Sequence, residues 1–534
     1  MTDAPAIAAD VARWLRGVLP AGGRLVADSR GVARGDAFFA YPGGRADGRR
    51  HVAQAIERGA AALVVEADSH GESGPVSASA GAAVPQRRVV GLKRLAGPIA
   101  DAFHDAPTAR LEVVAVTGTN GKTSCSQWIA QGLHAAGRRA AVVGTLGAGR
   151  LVDDSDGGGS AVALEDTGLT TPDALSMQAL FARFAADGVG AVAIEASSIG
   201  LDQHRLDGTR IAVAAFTNLT RDHLDYHGTM RAYADAKAAL FAWPGLRAAV
   251  VNLDDPAHAA MLAQVAPGVQ RIGYRIDDGR AEAAADGGTP ACHLAAGEVD
   301  RRLVATAIEP ASRGMRIALD GDWGRAIVES PLLGRFNVSN LLAVAGCWLA
   351  LGLPFEAVTR RLAALRPVPG RLQAIDDAGA SAPLAVVDYA HTPDALANAL
   401  DALRPVARAR GGLLWCVFGA GGDRDPGKRP LMGAVAQRGA DRVVVTSDNP
   451  RGEPPESILD AIVAGLDAPP ALRDADRARA IAATLARADV ADVVLIAGKG
   501  HEPYQEIAGA RLPFLDAEHA ACALARRRGE AAGA

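Results

Sequence analysis

Short apolar runs that break into glycine or polar loops, each followed by a stretch of helical period, recur through most of this chain. Between 112 and 252 the runs are EVVAVTG, AAVVGT, AVAIEAS, IAVAAFTNL and AAVVN, with helices predicted from the end of the first run to Ala136, at 174–187 and at 229–242. Near-continuous apolar strands alternating with helices predict a parallel sheet covered on both faces, with ligands at the carboxyl ends of its strands. A helix at about 338–351 closes that unit. After RPVPGR at 366–371 the pattern resumes in LAVVDYAHTPD, LLWCVFGAGGDRD, DRVVVTSDNPR and DVVLIAGKGHE. The first hundred residues hold shorter strands in LVADSR, DAFFAYPG and AALVVEA, a helix at 52–59 and an N-terminal amphipathic helix around Val11, Trp14 and Leu15. The Ala/Gly/Ser-rich stretch 69–85 reads as a mobile loop, 151–166 and 276–300 as loops, and 302–330 as short alternating strands, among them GMRIALDG and GRAIVES.

Length turns these regions into domains. A chain of 534 residues exceeds what one core accommodates. The expected fold is α/β in three domains: a smaller N-terminal α/β domain at 1–105, a central P-loop-type doubly wound, mostly parallel sheet at 106–365, and a C-terminal Rossmann-like α/β domain at 366–534. With 49% hydrophobic residues, 22% charged and a net charge of -4, nothing in the balance calls for a nucleic-acid partner. Cys125, Cys292, Cys347, Cys416 and Cys522 form no CxxC pair, which disfavours a disulfide framework or a structural zinc and favours the reducing cytosol. The N-terminus has no basic region preceding an apolar one, and no apolar run is long enough to span a bilayer. Small molecules are therefore the expected partners, without nucleic acid or membrane, for a monomeric cytoplasmic protein.

The chemistry begins at GTNGKT, residues 118–123. A glycine loop between a strand and a helix wraps backbone N–H groups around phosphates, with the lysine on the terminal phosphates and the hydroxyl on Mg²⁺. A Walker A loop of ordinary spacing would begin with glycine at 116, where Val116 stands, so the loop is a tighter GxxGK[ST] variant. A plain turn would not require Gly118, Gly121, Lys122 and Thr123 together. Glu195 ends an apolar run, where a carboxylate reaches a phosphate-bound Mg²⁺. The next strand ends in FTNLTRDHLDYHG, which gathers Asn218, Asp222, His223, Asp225 and His227 on the same rim; each alone is equally well a satisfied loop polar. Lys237, inside a predicted helix, reads by default as an exposed lysine. A dinucleotide fingerprint at GAGGDR is disfavoured, since Arg424 stands where the third glycine or alanine belongs.

Read together, GTNGKT, LTTPDA (169–174), IEASS (194–198), FTNLTRDHLDYHG (216–228), DAKAALF (235–241), GRFNVSN (334–340), VDYAHTPDAL (387–396), FGAGGDRDPGKRPLMG (418–433), SDNPR (447–451) and AGKGHEPYQ (497–505) resemble the Mur ligases. The resemblance runs in order over nearly the whole chain. It is closest to the branch that adds meso-2,6-diaminopimelate to UDP-N-acetylmuramoyl-L-alanyl-D-glutamate. It implies an ATP- and Mg²⁺-dependent, ADP-forming ligase that works through an acyl phosphate. Its N-terminal domain would bind the UDP-substrate, its central domain ATP and its C-terminal domain the amino acid.

Carried onto this sequence, the resemblance implies Lys122, Glu195, His223 and Lys237 as catalytic, and Gly118, Thr119, Asn120, Gly121, Lys122, Thr123, Asn337, Arg371, Asp388 and His391 around ATP. It implies Thr123, Glu195 and Lys237, the last carbamylated, at the metal. The UDP-substrate would meet Ala27, Ser29, Gly44, Arg45, Ala46, Thr170, Thr171, Ser197, Gln203 and Arg205. Diaminopimelate would meet Arg424, Asp448, Asn449, Pro450, Arg451, Gly498 and Glu502, the two guanidiniums suiting its distal carboxylate. The chain departs from the family pattern at Ile199, commonly His, at Leu169, commonly polar, and at Gly44 and Arg45, commonly His-Gln. An L-lysine-adding or folate-extending ligase is the nearest alternative, which DNPR and the first domain disfavour. A non-catalytic nucleotide binder would not need Lys122, Glu195 and Lys237.

Overall fold

The structure is a computed structural model that describes residues 4–44, 46–67, 84–153, 160–162, 164–279, 298–311, 314–375 and 382–527. Its strands form three main sheets and one hairpin. The central sheet has eleven described strands. Its middle seven, Arg301–Ala311, Gln270–Ile276, Ala248–Asn252, Val213–Phe216, Glu112–Thr117, Ala191–Glu195 and Ala140–Gly144 in spatial order, are mutually parallel. Alternation along Glu112–Thr117 explains its position. Val114 and Val116 enter one core with Trp128, Leu342 and Trp348, while Val113 and Ala115 enter the opposite core with Phe181, Phe184 and Phe241.

Register then places the chemistry. Thr117 lies opposite Phe216, and Val116 opposite Glu195, so the loops after these strands share one sheet edge. Both neighbours of Glu112–Thr117 come later in the chain, which makes that edge a topological switch point.

The first sheet is four parallel strands, Leu25–Val26, Ala37–Ala40, Ala62–Glu66 and Gln86–Val89. The third runs Gln373–Ala374, Leu384–Asp388, Val493–Ala497, Leu414–Phe418, Arg442–Thr446, Leu472–Asp474, parallel apart from the first pair. The loops DYAH, GKGHE, GAGGDR and SDNPR all leave its carboxyl edge.

Several sequence expectations change. The loop expected at 151–166 contains sheet at 151–153 and 160–162, with 154–159 and 163 outside the described residues: Gly147–Asp153 folds back antiparallel on Ala140–Gly144 and pairs with Ser160–Val162. An edge ribbon needs no continuous apolar run, so glycines and aspartates masked it. A long antiparallel extension, Arg301–Ala311, Gly314–Gly321 and Gly324–Ser330, closes the other edge. The helix expected at 229–242 is α-helical over Met230–Ala238 and continues as a 3₁₀ turn, Ala239–Ala242; that at 52–59 ends at Glu57. The closing helix spans Arg335–Ala350. Most of 69–85 and of 276–300 lies outside the described residues. The N-terminal helix, Ala4–Val18, buries Val11 and Leu15 and leaves Trp14 half-buried. Cys125, Cys347, Cys416 and Cys522 are free thiols, the first three buried; Cys292 lies outside the described residues. No helix of the described residues is long and apolar enough to cross a membrane.

The third unit contains an ion pair closed off from water. Arg477 donates to both carboxylate oxygens of Asp516 at 2.7 Å, and also to Ser447 O (3.2 Å) and Ala497 O (2.9 Å). Both side chains are fully buried, so the pair pins the strand ends that precede Asp448 and Gly498. Removing one partner leaves an uncompensated buried charge. Asp516→Ala should lower stability by about 3–5 kcal/mol, read as a reduced urea midpoint for the transition that Trp415 fluorescence reports.

Candidate active site

Gly118 (φ +149°) and Gly121 (φ +85°) adopt backbone conformations that side chains rarely adopt. A Cβ on Gly118 would lie 1.9 Å from Thr217 Oγ1, and one on Gly121 2.4 Å from Asn340 Oδ1. The neighbouring loop holds the turn: Thr119 N–H donates to Asn218 O (2.8 Å) and Asn120 N–H to Asn218 Oδ1 (2.9 Å). Lys122 begins the helix Lys122–Ala135 and donates to Gly118 O (2.9 Å) and Thr119 O (2.8 Å). This is an anion cradle at a helix N-terminus, with an ammonium beside it.

Glu195 is 1% exposed. It accepts from Thr123 Oγ1 (3.1 Å), Thr145 N–H (2.8 Å) and Thr145 Oγ1 (3.0 Å). Burial raises its pKa, opposed by the Lys122 charge and these three donors. Burial likewise lowers Lys122, opposed by Glu195 and Asp222.

The default reading of Lys237 as exposed is wrong: it is 1% exposed. Helix Met230–Ala238 turns Tyr233 and Lys237, one turn apart, to the interior. Lys237 Nζ donates to Gly118 O at 2.7 Å and lies 4.4 Å from the Tyr233 ring centroid. Burial first, and repulsion from Lys122 second, hold its pKa well below the usual lysine range, against a pull from Asp222. Sequence reasoning missed Tyr233, whose hydroxyl meets Thr119 Oγ1 at 3.1 Å; its i,i+4 spacing to Lys237 was the available signal. His223, with φ +51°, stands edge-on to Tyr233 with ring centroids 6.2 Å apart. Among the described residues no group of three or more His, Cys, Asp or Glu side chains is arranged for a metal ion.

A cleft of about 630 Å³ opens between the first two units. Ala27, Ser29, Gly44, Ala46, Gln203 and Arg205 line it; Arg45 lies outside the described residues. Arg205 donates to Thr171 O (2.7 Å) and Gln203 Oε1 (2.7 Å). Thr171 Oγ1 donates to Glu195 O (2.7 Å) and lies 2.9 Å from Ser197 Oγ, and Thr170 Oγ1 meets Thr145 Oγ1 at 3.1 Å. Polar contacts thus run unbroken from cleft to phosphate loop. Leu169, Tyr41, Gln54 and Asp173 also line the cleft; the last three were not foreseen, Tyr41 and Gln54 because they stand apart from any recognisable motif, Asp173 although it lies within LTTPDA, where it caps the helix Ala174–Ala186. Ile199 falls in the short helix Ser198–Asp202, capped by Ser197.

The third unit approaches the loop through Arg371. Its guanidinium lies 4.6 Å from the Tyr389 ring centroid, and its charge depresses Lys122. Asp388 accepts from Leu372 N–H (2.7 Å) and Ala390 N–H (2.9 Å); burial raises its pKa against these bonds and Arg371. His391 Nδ1 pairs with Tyr389 O at 2.9 Å. Asn337 is buried, with its amide used on Leu333 O (2.8 Å) and Asn340 Nδ2 (3.1 Å). It reaches the loop through Asn340, which the sequence reading left out.

Arg424 and Arg451 flank Gly421: a Cβ there would lie 2.8 Å from Arg451 Nη1 and 3.7 Å from Arg424 Cγ. Arg451, at φ +53°, donates to Gly422 O (2.9 Å). Pro450 O receives Glu453 N–H at 3.1 Å. Asp448 and Asn449 are buried, and Gly498 abuts Asp448, whose Oδ2 would lie 2.3 Å from a Cβ. Asn449 Nδ2 donates to Glu502 Oε2 at 2.7 Å. The buried Lys499, also unforeseen, stands among them.

Residues 24–104 match the family model for the Mur ligase family, catalytic domain, 116–348 that for the Mur ligase middle domain, and 370–500 that for the Mur ligase, glutamate ligase domain. The UDP-N-acetylmuramoyl-L-alanyl-D-glutamate--2,6-diaminopimelate ligase of Ralstonia nicotianae is 51% identical over 525 residues, 97% of this chain and 96% of its own. Its counterpart from Acidovorax sp. is 50% identical over 526 residues, covering 97% of both chains. A solved structure of an enzyme bearing that name, 34% identical, covers 95% of each chain with a TM-score of 0.65. The chain belongs to the Mur ligase family.

Proposed function

We propose that this chain is the ATP-dependent, ADP-forming ligase that adds meso-2,6-diaminopimelate to UDP-N-acetylmuramoyl-L-alanyl-D-glutamate in cytoplasmic peptidoglycan precursor synthesis. Its near-full-length relatives carry the name of that reaction. The observation that carries the reading is the unbroken polar path from the large cleft through Arg205, Thr171 and Glu195 to the phosphate loop.

The nucleotide substrate occupies the cleft against Ala27, Ser29, Gly44, Ala46, Gln203 and Arg205 and reaches Thr170, Thr171 and Ser197, with its D-glutamate carboxylate toward Glu195; Arg45 is assigned to it by the family resemblance alone. The cradle that a Cβ would fill at Gly118 and Gly121 fits a polyphosphate. ATP is held there by residues 118–123, with Asn337, Arg371, Asp388 and His391 completing the site. Thr123, Glu195 and a carbamylated Lys237 fit Mg²⁺, which supplies charge neutralisation for phosphoryl transfer. Lys122 stabilises charge on the transferring group as the carboxylate becomes an acyl phosphate. His223 belongs to the catalytic set by its place against Tyr233 and the loop. The amine of diaminopimelate then attacks the acyl carbon and phosphate leaves. Arg424 and Arg451 bind the distal carboxylate, Glu502 the neighbouring ammonium, and Asp448, Asn449, Pro450 and Gly498 shape the pocket.

Burial of Lys237 supports the carbamate. A depressed pKa supplies the neutral amine that CO₂ requires; its addition releases a proton and places an anion beside the Lys122 cation. Lys237→Ala should nearly abolish ligation, and small carboxylic acids should restore part of it. Steady-state turnover with and without formate or acetate checks this; full activity of the variant in CO₂-depleted buffer would refute it.

Specificity tests the third unit. Arg451→Ala should reduce kcat/KM for diaminopimelate by about 2–4 kcal/mol in transition-state terms, the loss of charge-assisted bonds to a desolvated carboxylate. KM values for ATP and the nucleotide substrate should change little, and L-lysine should be a poor substrate of the parent enzyme. Initial-rate kinetics with each substrate varied in turn decides it, since unchanged diaminopimelate kinetics would leave only a Mur-type amide ligase.

A further inference from the structure

Lys499 is 0% exposed, yet it carries an ammonium in the middle of the loops assigned to the amino acid. Its three N–H groups have three acceptors: Asn449 Oδ1 (3.2 Å), Glu502 Oε2 (3.1 Å) and Tyr504 O (2.5 Å). An ammonium has three donors and no acceptor, so none is left for a ligand. Lys499 therefore acts on its neighbours.

Its effect on Asn449 is geometric. Asn449 Oδ1 accepts from Lys499 and also from Glu506 N–H at 2.9 Å, so the amide can face only one way. Its Nδ2 is thereby turned to Glu502 Oε2 (2.7 Å). That oxygen receives two donors, one from Lys499 and one from Asn449, which fixes the Glu502 rotamer; neither bond uses Oε1. Through Tyr504 O the same ammonium grips the hairpin Tyr504–Ile507 and Ala510–Pro513. The hairpin in turn holds Arg451, whose N–H donates to Glu506 O (2.9 Å) and whose O accepts from Ala508 N–H (2.7 Å). Gln505 Nε2 adds bonds to Asp448 O (2.7 Å) and Ser447 Oγ (2.9 Å).

One cation thus sits where DNPR, GKGHE and the hairpin meet. We propose that Lys499 is a positioning residue for the amino-acid substrate: without touching it, Lys499 aims Glu502 and Asn449 and holds the hairpin that sets the Arg451 backbone. This rests on the reading of these loops as the diaminopimelate pocket. The shape of the site favours lysine over arginine, because a compact ammonium addresses three convergent acceptors that a planar fork does not.

Lys499→Met keeps the stem and removes the charge. Initial rates with diaminopimelate varied should show KM raised about tenfold or more, the consequence of a carboxylate left without its ammonium. KM for ATP and for the nucleotide substrate should stay within about twofold, because the change lies outside their contacts. Lys499→Arg should not restore the parental KM. In a Glu502→Gln background Lys499→Met should add much less than it does alone, because both act through one carboxylate. A purely structural lysine predicts instead a lower melting temperature with loss of active fraction, and an unchanged KM for diaminopimelate; that result overturns the proposal. If Lys499→Met melts below the assay temperature, Lys499→Gln, which retains two N–H donors without the charge, is measured under the same criteria. Arg451→Ala run in parallel separates the two failures. If it raises KM for diaminopimelate and the Lys499 variants do not, the positioning role fails alone. If neither moves KM, the pocket reading fails with it.

Discussion

A single buried carboxylate organises the catalytic centre. Glu195 ends the strand Ala191–Glu195 at the sheet edge, and its side chain gathers Thr123 from the phosphate helix and Thr145 from the neighbouring strand end. Its backbone oxygen takes Thr171, and through Thr171 the Arg205 and Gln203 side of the cleft. Desolvation raises the cost of its charge, and the Lys122 ammonium with three hydrogen bonds offsets that cost. An acid this enclosed is costly unless it has cationic work to do, which is the expected condition of a metal and phosphate site.

The ammonium groups around it obey the same electrostatics with opposite outcome. Burial lowers the Lys122 pKa, but the group feels the opposing charge of Glu195. Lys237 has Lys122 as a repelling neighbour, Gly118 O as its hydrogen-bond acceptor and the Tyr233 ring below it. Such surroundings support the neutral amine better than the cation. Converting that neutral amine to the proposed carbamate would release a proton and set an anion facing Lys122, which would improve the local balance even before a divalent ion is considered.

Much of this was legible in the sequence because backbone rules leave marks there. Gly118 and Gly121 are glycines since their φ values and the closeness of Thr217 and Asn340 admit no Cβ. Glu195, Arg451 and Glu502 stand just beyond apolar runs, where parallel strands present their loops. Residues that act through packing left fainter marks. Tyr233 and Asn340 look like ordinary helix positions, Tyr41 and Gln54 like parts of a small domain, and Lys499 like one more polar residue in a glycine turn. Lys237 was misread from physics alone because the amphipathic pattern of a nine-residue helix is too short to show which face is buried. The edge ribbon after Gly144 was misread for a related reason: polar, glycine-rich strands pair through backbone groups that no side-chain pattern reports.

The contacts between units bear on how two chemical steps share one site. Arg371 places its charge beside Lys122 and its guanidinium over Tyr389, while the charges of Glu502 and Asp448 in the amino-acid loops are felt at the Tyr389 hydroxyl. The hinge is close-packed: a Cβ on Gly370 would lie 2.3 Å from His501 N. An approach this tight transmits displacement, because packed backbone has no slack to absorb it. On the proposed assignment, movement of Arg371 toward bound phosphates would carry Tyr389 and the GKGHE loop with it, so the loops assigned to the amino acid would travel with the residue assigned to the ATP site. An acyl phosphate exposed to water is lost to hydrolysis. Coupling the approach of the loops assigned to the amine to occupation of the phosphate loop would bring the nucleophile and the exclusion of water to the reacting carboxylate in the same motion.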